Sequence, residues 1–199
     1  MVANCTAFKN IYDKIPYYLP VDKALERIKN GNSRQMVFEI RNTIDKERQD
    51  KLKRNLPSIC FSGEFKERKD EEIIKHSGFI VLDFDNIFEV KEKKKEISES
   101  KFTYACWISP RNNGVKALVR IADGSKHREH FQALRKHFPD CDKSGVNQSR
   151  VCYESYDADL FINENSKVWT LKKEYTEVTR KNNYPKHFQI TDTNKKVDV

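Results

Sequence analysis

The sequence predicts an α/β protein, and three features carry that expectation. Phe79-Ile80-Val81-Leu82 is a β-prone apolar run ending in Asp83-Phe84-Asp85. Phe102 to Ile108 and Val115 to Ile121 are two further strand-like runs. The polar turn Ser109-Pro110-Arg111-Asn112-Asn113-Gly114 joins them into a hairpin. Val21, Ala24, Leu25 and Ile28 recur at helical spacing, and Asn30-Gly31-Asn32 stops that helix.

The remaining elements follow in order. Residues 4 to 8 suggest a short first strand, and Asp13 to Pro20, with two prolines, an extended connector. Ser33 is placed to N-cap a second helix with apolar positions Met36, Val37, Ile40 and Ile44. Residues 45 to 55 carry Lys46, Arg48, Lys51, Lys53 and Arg54, which predict a solvated helix face or a basic surface over nucleic acid. Pro57 to Phe61 reads as a short strand, residues 78 to 85 as the carboxylate strand, and Glu89 to Ser100 as a charged helix. The lysine run Lys91 to Lys95 reads as the wet face of that helix.

Residues 126 to 138 predict a helix with Phe131, Leu134 and Phe138 inward. His127, His130 and His137 fall on or near it; the first two have a spacing that metals use, but no third ligand is evident. Asp140-Cys141-Asp142 is a polar loop, Gln148 to Tyr153 a strand leaving it, and Asp157 reads as structural. Val168 to Leu171 is a last strand, and residues 172–199 a polar tail or linker, as in the first domain of something longer.

Composition narrows the partners. The chain has 199 residues, 37% hydrophobic and 34% charged, enough for one sizeable domain. A net charge of +8 favours anionic partners, nucleic acid first, although ordinary solubility charge accounts for it too. The five cysteines form no CxxC, so neither a disulfide scaffold nor a structural zinc is expected, and the chain reads as cytoplasmic. No apolar run reaches the ~20 residues of a membrane span, and Met1 to Tyr12 lacks a signal-peptide core.

The chemistry centres on Asp83 and Asp85. Side chains alternate along a strand, so both carboxylates share one face and Phe84 takes the other. Like charges held that close invite a cation, and hard oxygens suit magnesium or manganese. A strand running into a solvated Asp-Asn turn is the plain alternative. Lys116 just inside the hairpin either snorkels to water or holds a phosphate as a mobile point charge.

In this order the chain resembles the primase-polymerase domains of the archaeo-eukaryotic primase superfamily. The branch it is most similar to is the VirE N-terminal type found in replication proteins of phages and mobile elements. The resemblance spans about residues 5 to 163. Its segments are Phe8-Lys9-Asn10, Ile28 to Gly31, Leu56-Pro57, Phe61-Ser62-Gly63 with Phe65 and Arg68, and Ser77-Gly78 leading to Asp83-Phe84-Asp85. Ser109-Pro110, Gly114-Val115-Lys116, Asp142, Ser149-Arg150 and Tyr156-Asp157 complete the set. Lys116 stands where the superfamily has a phosphate-contacting histidine, and Arg111-Asn112 replace the Ser and first Gly of the branch's usual turn. Asn112 tolerates left-handed angles, which would preserve that turn.

The resemblance implies an RRM-like antiparallel catalytic sheet with flanking helices over residues 76–171, beside an N-terminal α/β part over residues 1–75. It implies template-dependent nucleotidyl transfer by two Mg2+ or Mn2+ ions on Asp83, Asp85 and Asp142. Lys116, Arg150, Ser109, Arg111 and Gly114 would surround an NTP or dNTP. Arg150 has a plainer role open to it, an ion pair with Asp142 or Asp157. The implied partners are a single-stranded DNA template and primer, with a helicase domain further along a longer chain, and the domain is expected as a monomer in a bacterial or phage-infected cell. A non-catalytic single-stranded-DNA-binding or replication-initiator module, or a metal-dependent nuclease, remains open.

Overall fold

A computed structural model describes residues 3–173. The chain is mixed α/β with antiparallel sheets, as the sequence predicts. The expected tail lies outside the described residues from position 174 onward.

Strand β1 (Asn4–Phe8) pairs antiparallel with β2 (Tyr17–Pro20), and α1 (Val21–Asn30) follows directly. The stretch read as a connector therefore ends in a strand. Tyr17 and Tyr18 favour extended backbone, and the proline is tolerated on an edge strand that needs no second ladder. Helix α1 buries Val21, Ala24, Leu25 and Ile28, then stops at Gly31 with a left-handed φ of 83°. Helix α2 (Arg34–Asn42) buries Val37 and Ile40 but ends before Ile44, which is fully exposed rather than inward. Ser33 occupies the N-cap position without capping. Its hydroxyl donates instead to buried Glu154 at 2.5 Å. Helix α3 (Lys46–Asn55) is capped by the Asp45 carboxylate on the Arg48 N–H and fully buries none of its side chains.

Next come β3 (Ser58–Cys60), then β4 (Gly63–Phe65) and β5 (Ile73–His76), a small hairpin that the sequence pattern did not disclose. Then β6 (Phe79–Asp85), α4 (Val90–Ser98), β7 (Thr103–Ile108), β8 (Gly114–Arg120) and α5 (His127–His137) follow in the expected order. The strand expected from Gln148 is reduced to β9 (Cys152–Tyr153), and β10 (Phe161–Ile162) is equally short. Val168 to Leu171 forms no strand; Trp169 makes an isolated bridge to Ile121.

The strands build two four-stranded sheets, ordered β2-β1-β3-β9 and β10-β7-β8-β6. Residues before position 75 supply three strands of the first sheet, and β9 returns from the far end of the chain as its edge. Alternation then sorts β6 into two cores. Ile80, Leu82 and Phe84 face Val90 and Ile97 of α4 and Phe131 and Leu134 of α5. Phe79 and Val81 face the first sheet and α1, packing with Leu25, Ile28, Ile59, Trp107 and Leu118. Each such side chain contributes about 1.5–3 kcal/mol on burial. The face continuing from Phe79 and Val81 ends in Asp83 and Asp85. Apolar contact between the sheets therefore gives way there to a polar cleft.

Candidate active site

The cleft has a volume of about 400 Å³. Asp83, Asp85, Lys116, Ser109, Arg111 and Arg150 line it, with Lys53, Asn86, Asn113, Val151 and Tyr153. Strand pairing sets the floor. Asp83 lies opposite Lys116 and Asp85 opposite Gly114 in the β6–β8 register. Opposed strand residues of opposite charge attract, and Lys116 Nζ donates to Asp83 Oδ2 at 2.5 Å. Arg150 stands 3.9 Å from the same oxygen.

The turn beside the floor is held from several directions. The Ser109 N–H donates to the Gly114 carbonyl at 2.9 Å, and Asn112 adopts φ 59°, the left-handed geometry expected of it. The Arg41 guanidinium bonds the carbonyls of Ser109, Pro110 and Tyr156. Arg111 pairs with Asp50 of α3, which ties the turn to the opposite wall. Gly114 has no room for a side chain, since a Cβ would fall 2.6 Å from the Phe84 carbonyl oxygen. That position is required by the close approach of strands.

The charges on the floor are strongly coupled. Burial raises the Asp85 carboxyl above its ordinary range, the neighbouring Asp83 charge adds to this, and Lys116 and Lys53 oppose it. Burial pulls the Lys116 ammonium down, but the Cys152 sulfur and the Asp83 carboxylate with its hydrogen bond outweigh that, and it is held above its usual range. Lys53 is lowered by desolvation and then by the Lys116 charge. Among the buried atoms of cleft residues without a hydrogen-bond partner are the oxygens Asp83 Oδ1 and Ser109 Oγ. An orphaned carboxylate oxygen beside a second carboxylate fits a hard cation.

Asp142 stands differently. Its backbone N–H donates to the Asp83 carbonyl at 2.8 Å, so it neighbours the floor. Its carboxylate, however, caps the Ser144 N–H at 2.7 Å and does not line the cleft. That backbone bond, more than any other influence, lowers its pKa. Among the described residues, no three His, Cys, Asp or Glu side chains are gathered as a metal site. Asp157 is structural, accepting from Lys94 Nζ at 2.7 Å and the Ile108 N–H at 2.9 Å. Of the two ion pairs expected for Arg150, Asp157 is held by Lys94 instead; the Arg150 guanidinium stands 3.9 Å from Asp83, and its charge also helps to lower the Asp142 carboxyl.

Sequence reasoning did not single out Lys53 or Tyr153 for the cleft. Lys53 sits in the basic run of residues 45–55, and its ammonium lies 5.1 Å from the Tyr153 ring centroid. The alternation Val151-Cys152-Tyr153 was the available signal: with Cys152 buried inward, its two neighbours face the cleft. The histidines lie elsewhere. His127 Nδ1 is 3.0 Å from His76 Nε2, and His130 Nδ1 is 2.8 Å from the Leu171 carbonyl.

Fold and cleft together define an α+β protein in which a carboxylate strand floors a polar cleft between two antiparallel sheets. Within that class, the chain belongs to the family described as BT4734-like, N-terminal domain, whose sequence model matches residues 51–161. Every residue lining the cleft falls inside that segment. No curated protein matches the chain. Among solved structures it is similar to one titled "Crystal structure of primase RepB'", at 12% identity and a TM-score of 0.39. That alignment covers 83% of this chain and 52% of the other, so the chain spans about half the length of that structure. Nothing about activity follows from a likeness at that level. No described helix is long and apolar enough to cross a membrane.

Proposed function

We propose that the cleft binds a nucleoside triphosphate with divalent metal and carries out template-dependent nucleotidyl transfer, as a primase-polymerase domain in phage or mobile-element replication. The observation that carries this reading is one constellation. Two carboxylates share with Lys116 the floor of a cleft whose walls supply Arg150 and Lys53. The resemblance to the archaeo-eukaryotic primase superfamily, in the VirE N-terminal branch, supports the same reading.

Asp83 and Asp85 would hold Mg2+ or Mn2+, with Asp142 joining for a second ion once its carboxylate leaves the Ser144 N–H. Such ions supply Lewis-acid polarisation of phosphoryl oxygens and a more acidic attacking hydroxyl. The chain's own groups do the rest. Lys116 is a phosphate-binding cation kept protonated by its surroundings, and its bond to Asp83 is the contact that substrate and metal would replace. Arg150 offers a planar fork to phosphate oxygens. The unpartnered Ser109 hydroxyl is free to donate to the nucleotide.

A non-catalytic strand-binding module is the second reading. The Lys116–Asp83 bond and the outward turn of the Asp142 carboxylate favour it, because they leave no ready three-ligand centre. Titration of a fluorescent triphosphate with and without Mn2+ separates the two. The catalytic reading expects binding that needs metal and falls at least tenfold in Asp85→Asn. Metal-independent binding, unchanged in that variant, would contradict it.

A further inference from the structure

The cleft does not end at Val151. That residue also lines a second groove, of about 460 Å³, formed with Phe8, Ile11, Lys14, Arg68 and Ser149. Ser149, Arg150 and Val151 are therefore a shared wall with a depression on either side. Asp70 fixes that wall, accepting from both the N–H and the hydroxyl of Ser149 at 2.8 and 2.6 Å.

The second groove is basic: Lys14, Arg68 and Lys69 line it, against the single carboxylate of Glu67. Glu67 is paired with Lys69 at 2.6 Å. Asp13 does not line the groove, and its carboxylate accepts from the N–H groups of Lys9 and Ile15. Lys14 and Arg68 supply the remaining charge. Arg68 is preset by its position 4.8 Å from the Phe8 ring centroid and by its bond to the Asp13 carbonyl.

Two tyrosines stand at or beside the depressions. Tyr153 stands in the cleft, half-buried. Tyr12 is 64% exposed on the turn that precedes Lys14, and the next residue back, Ile11, bonds the Arg54 carbonyl. Ile11 and Lys14, on either side of Tyr12 in that turn, both line the groove. An exposed ring beside cations suits a flexible strand of unpaired bases: a base stacks on the ring while the cations follow the phosphates. A duplex hides its base faces and would leave the ring unused.

We propose that this groove is a docking site for single-stranded nucleic acid, which enters past Lys14 and Arg68, stacks at Tyr12 and crosses the Ser149–Val151 wall into the cleft. The direction of travel rests on the proposed function of the cleft; the groove itself does not. It needs no metal and no nucleotide.

The test is fluorescence anisotropy of labelled 12-residue oligo-dT and oligo-U strands in EDTA, without nucleotide, over a range of salt. Wild type is compared with Tyr12→Ala, Lys14→Ala and Asp85→Asn. Tyr12 and Lys14 are exposed, so folding should be preserved; circular dichroism checks it. The proposal expects Tyr12→Ala to weaken binding about tenfold. It expects Lys14→Ala to reduce the slope of log affinity against log salt by about 0.7. Asp85→Asn should bind the strand at least as well as wild type. The two oligomers distinguish DNA from RNA as the source of the strand. Strand binding within twofold of wild type in both groove variants, or no binding by wild type, would overturn the proposal. If groove-dependent binding appears while metal-dependent nucleotide binding fails, the docking site stands and the catalytic reading falls.

Discussion

At the scale of single residues, Asp85 shows how the site is set against stability. Its carboxyl is raised by burial and by Asp83, so the folded state takes up a proton there more readily than the unfolded chain does. Stability contributed by this group therefore grows as pH falls through the raised value, and the ionised form at neutral pH is unfavourable. Asn imitates the protonated form. Asp85→Asn should thus raise stability at pH 7 by about 0.5 kcal/mol, a figure discounted for solvent screening at a half-exposed group. Mn2+ should raise the Tm of wild type and not of the variant, which differential scanning fluorimetry reads directly. Asp83 is a poorer probe, because its removal leaves buried Lys116 unpaired. The pairing of Asp83 and Asp85 on one face was legible in the sequence because strand alternation is local. The bond from Lys116 to Asp83 was not, because it depends on register across the sheet.

At the scale of elements, the β4–β5 hairpin and the start of α5 are joined by His76 and His127. The Gly78 N–H donates to His76 Nδ1 at 2.9 Å, so neutral His76 carries its proton on Nε2 and donates to His127 Nδ1. Burial lowers the two rings to about 4 and about 3 respectively. Asp123 opposes the shift at His76, and Asp70 opposes it at His127, where His76, Arg128 and His130 add to it. The unfolded chain protonates near pH 6.5 while the folded pair does not. The pair's stability contribution is therefore complete above pH 6.5 and is lost as pH falls from there toward about 4 for His76 and about 3 for His127. Thermal melts should show Tm declining between pH 7 and pH 5; a flat profile would contradict this account. The hairpin itself escaped the sequence pattern because Gly63–Phe65 and Ile73–His76 are too short for alternation to register. The long apolar strands β6, β7 and β8 were plain for the opposite reason. Ile44 misled because its helical spacing continues past the point where α2 stops at Asn42.

At the scale of the whole molecule, the cleft exists because the chain returns. Strand β9 leaves the second half and completes the first sheet, carrying Val151 and Tyr153 to the cleft as it does so. Its neighbour Glu154 is 1% exposed and anchors this return through a bidentate bond from Arg27 of α1 and the hydroxyl of Ser33. Removing one partner of a buried ion pair leaves the other charge uncompensated. Arg27→Met should therefore cost about 3 kcal/mol in urea unfolding, and it should weaken nucleotide binding although Arg27 lies outside the cleft. A two-residue strand pairing with a partner some ninety positions earlier leaves no local signature, so this closure could not be read from the sequence. The central claim is that Asp83 and Asp85 make the cleft a nucleotidyl-transfer centre. It is tested most directly by primer extension on a single-stranded template with Mn2+ or Mg2+, using wild type beside Asp85→Asn. The account predicts extension by wild type and a loss of at least a hundredfold in the folded variant. Equal extension by both, or none by wild type under any nucleotide and metal combination, would contradict it.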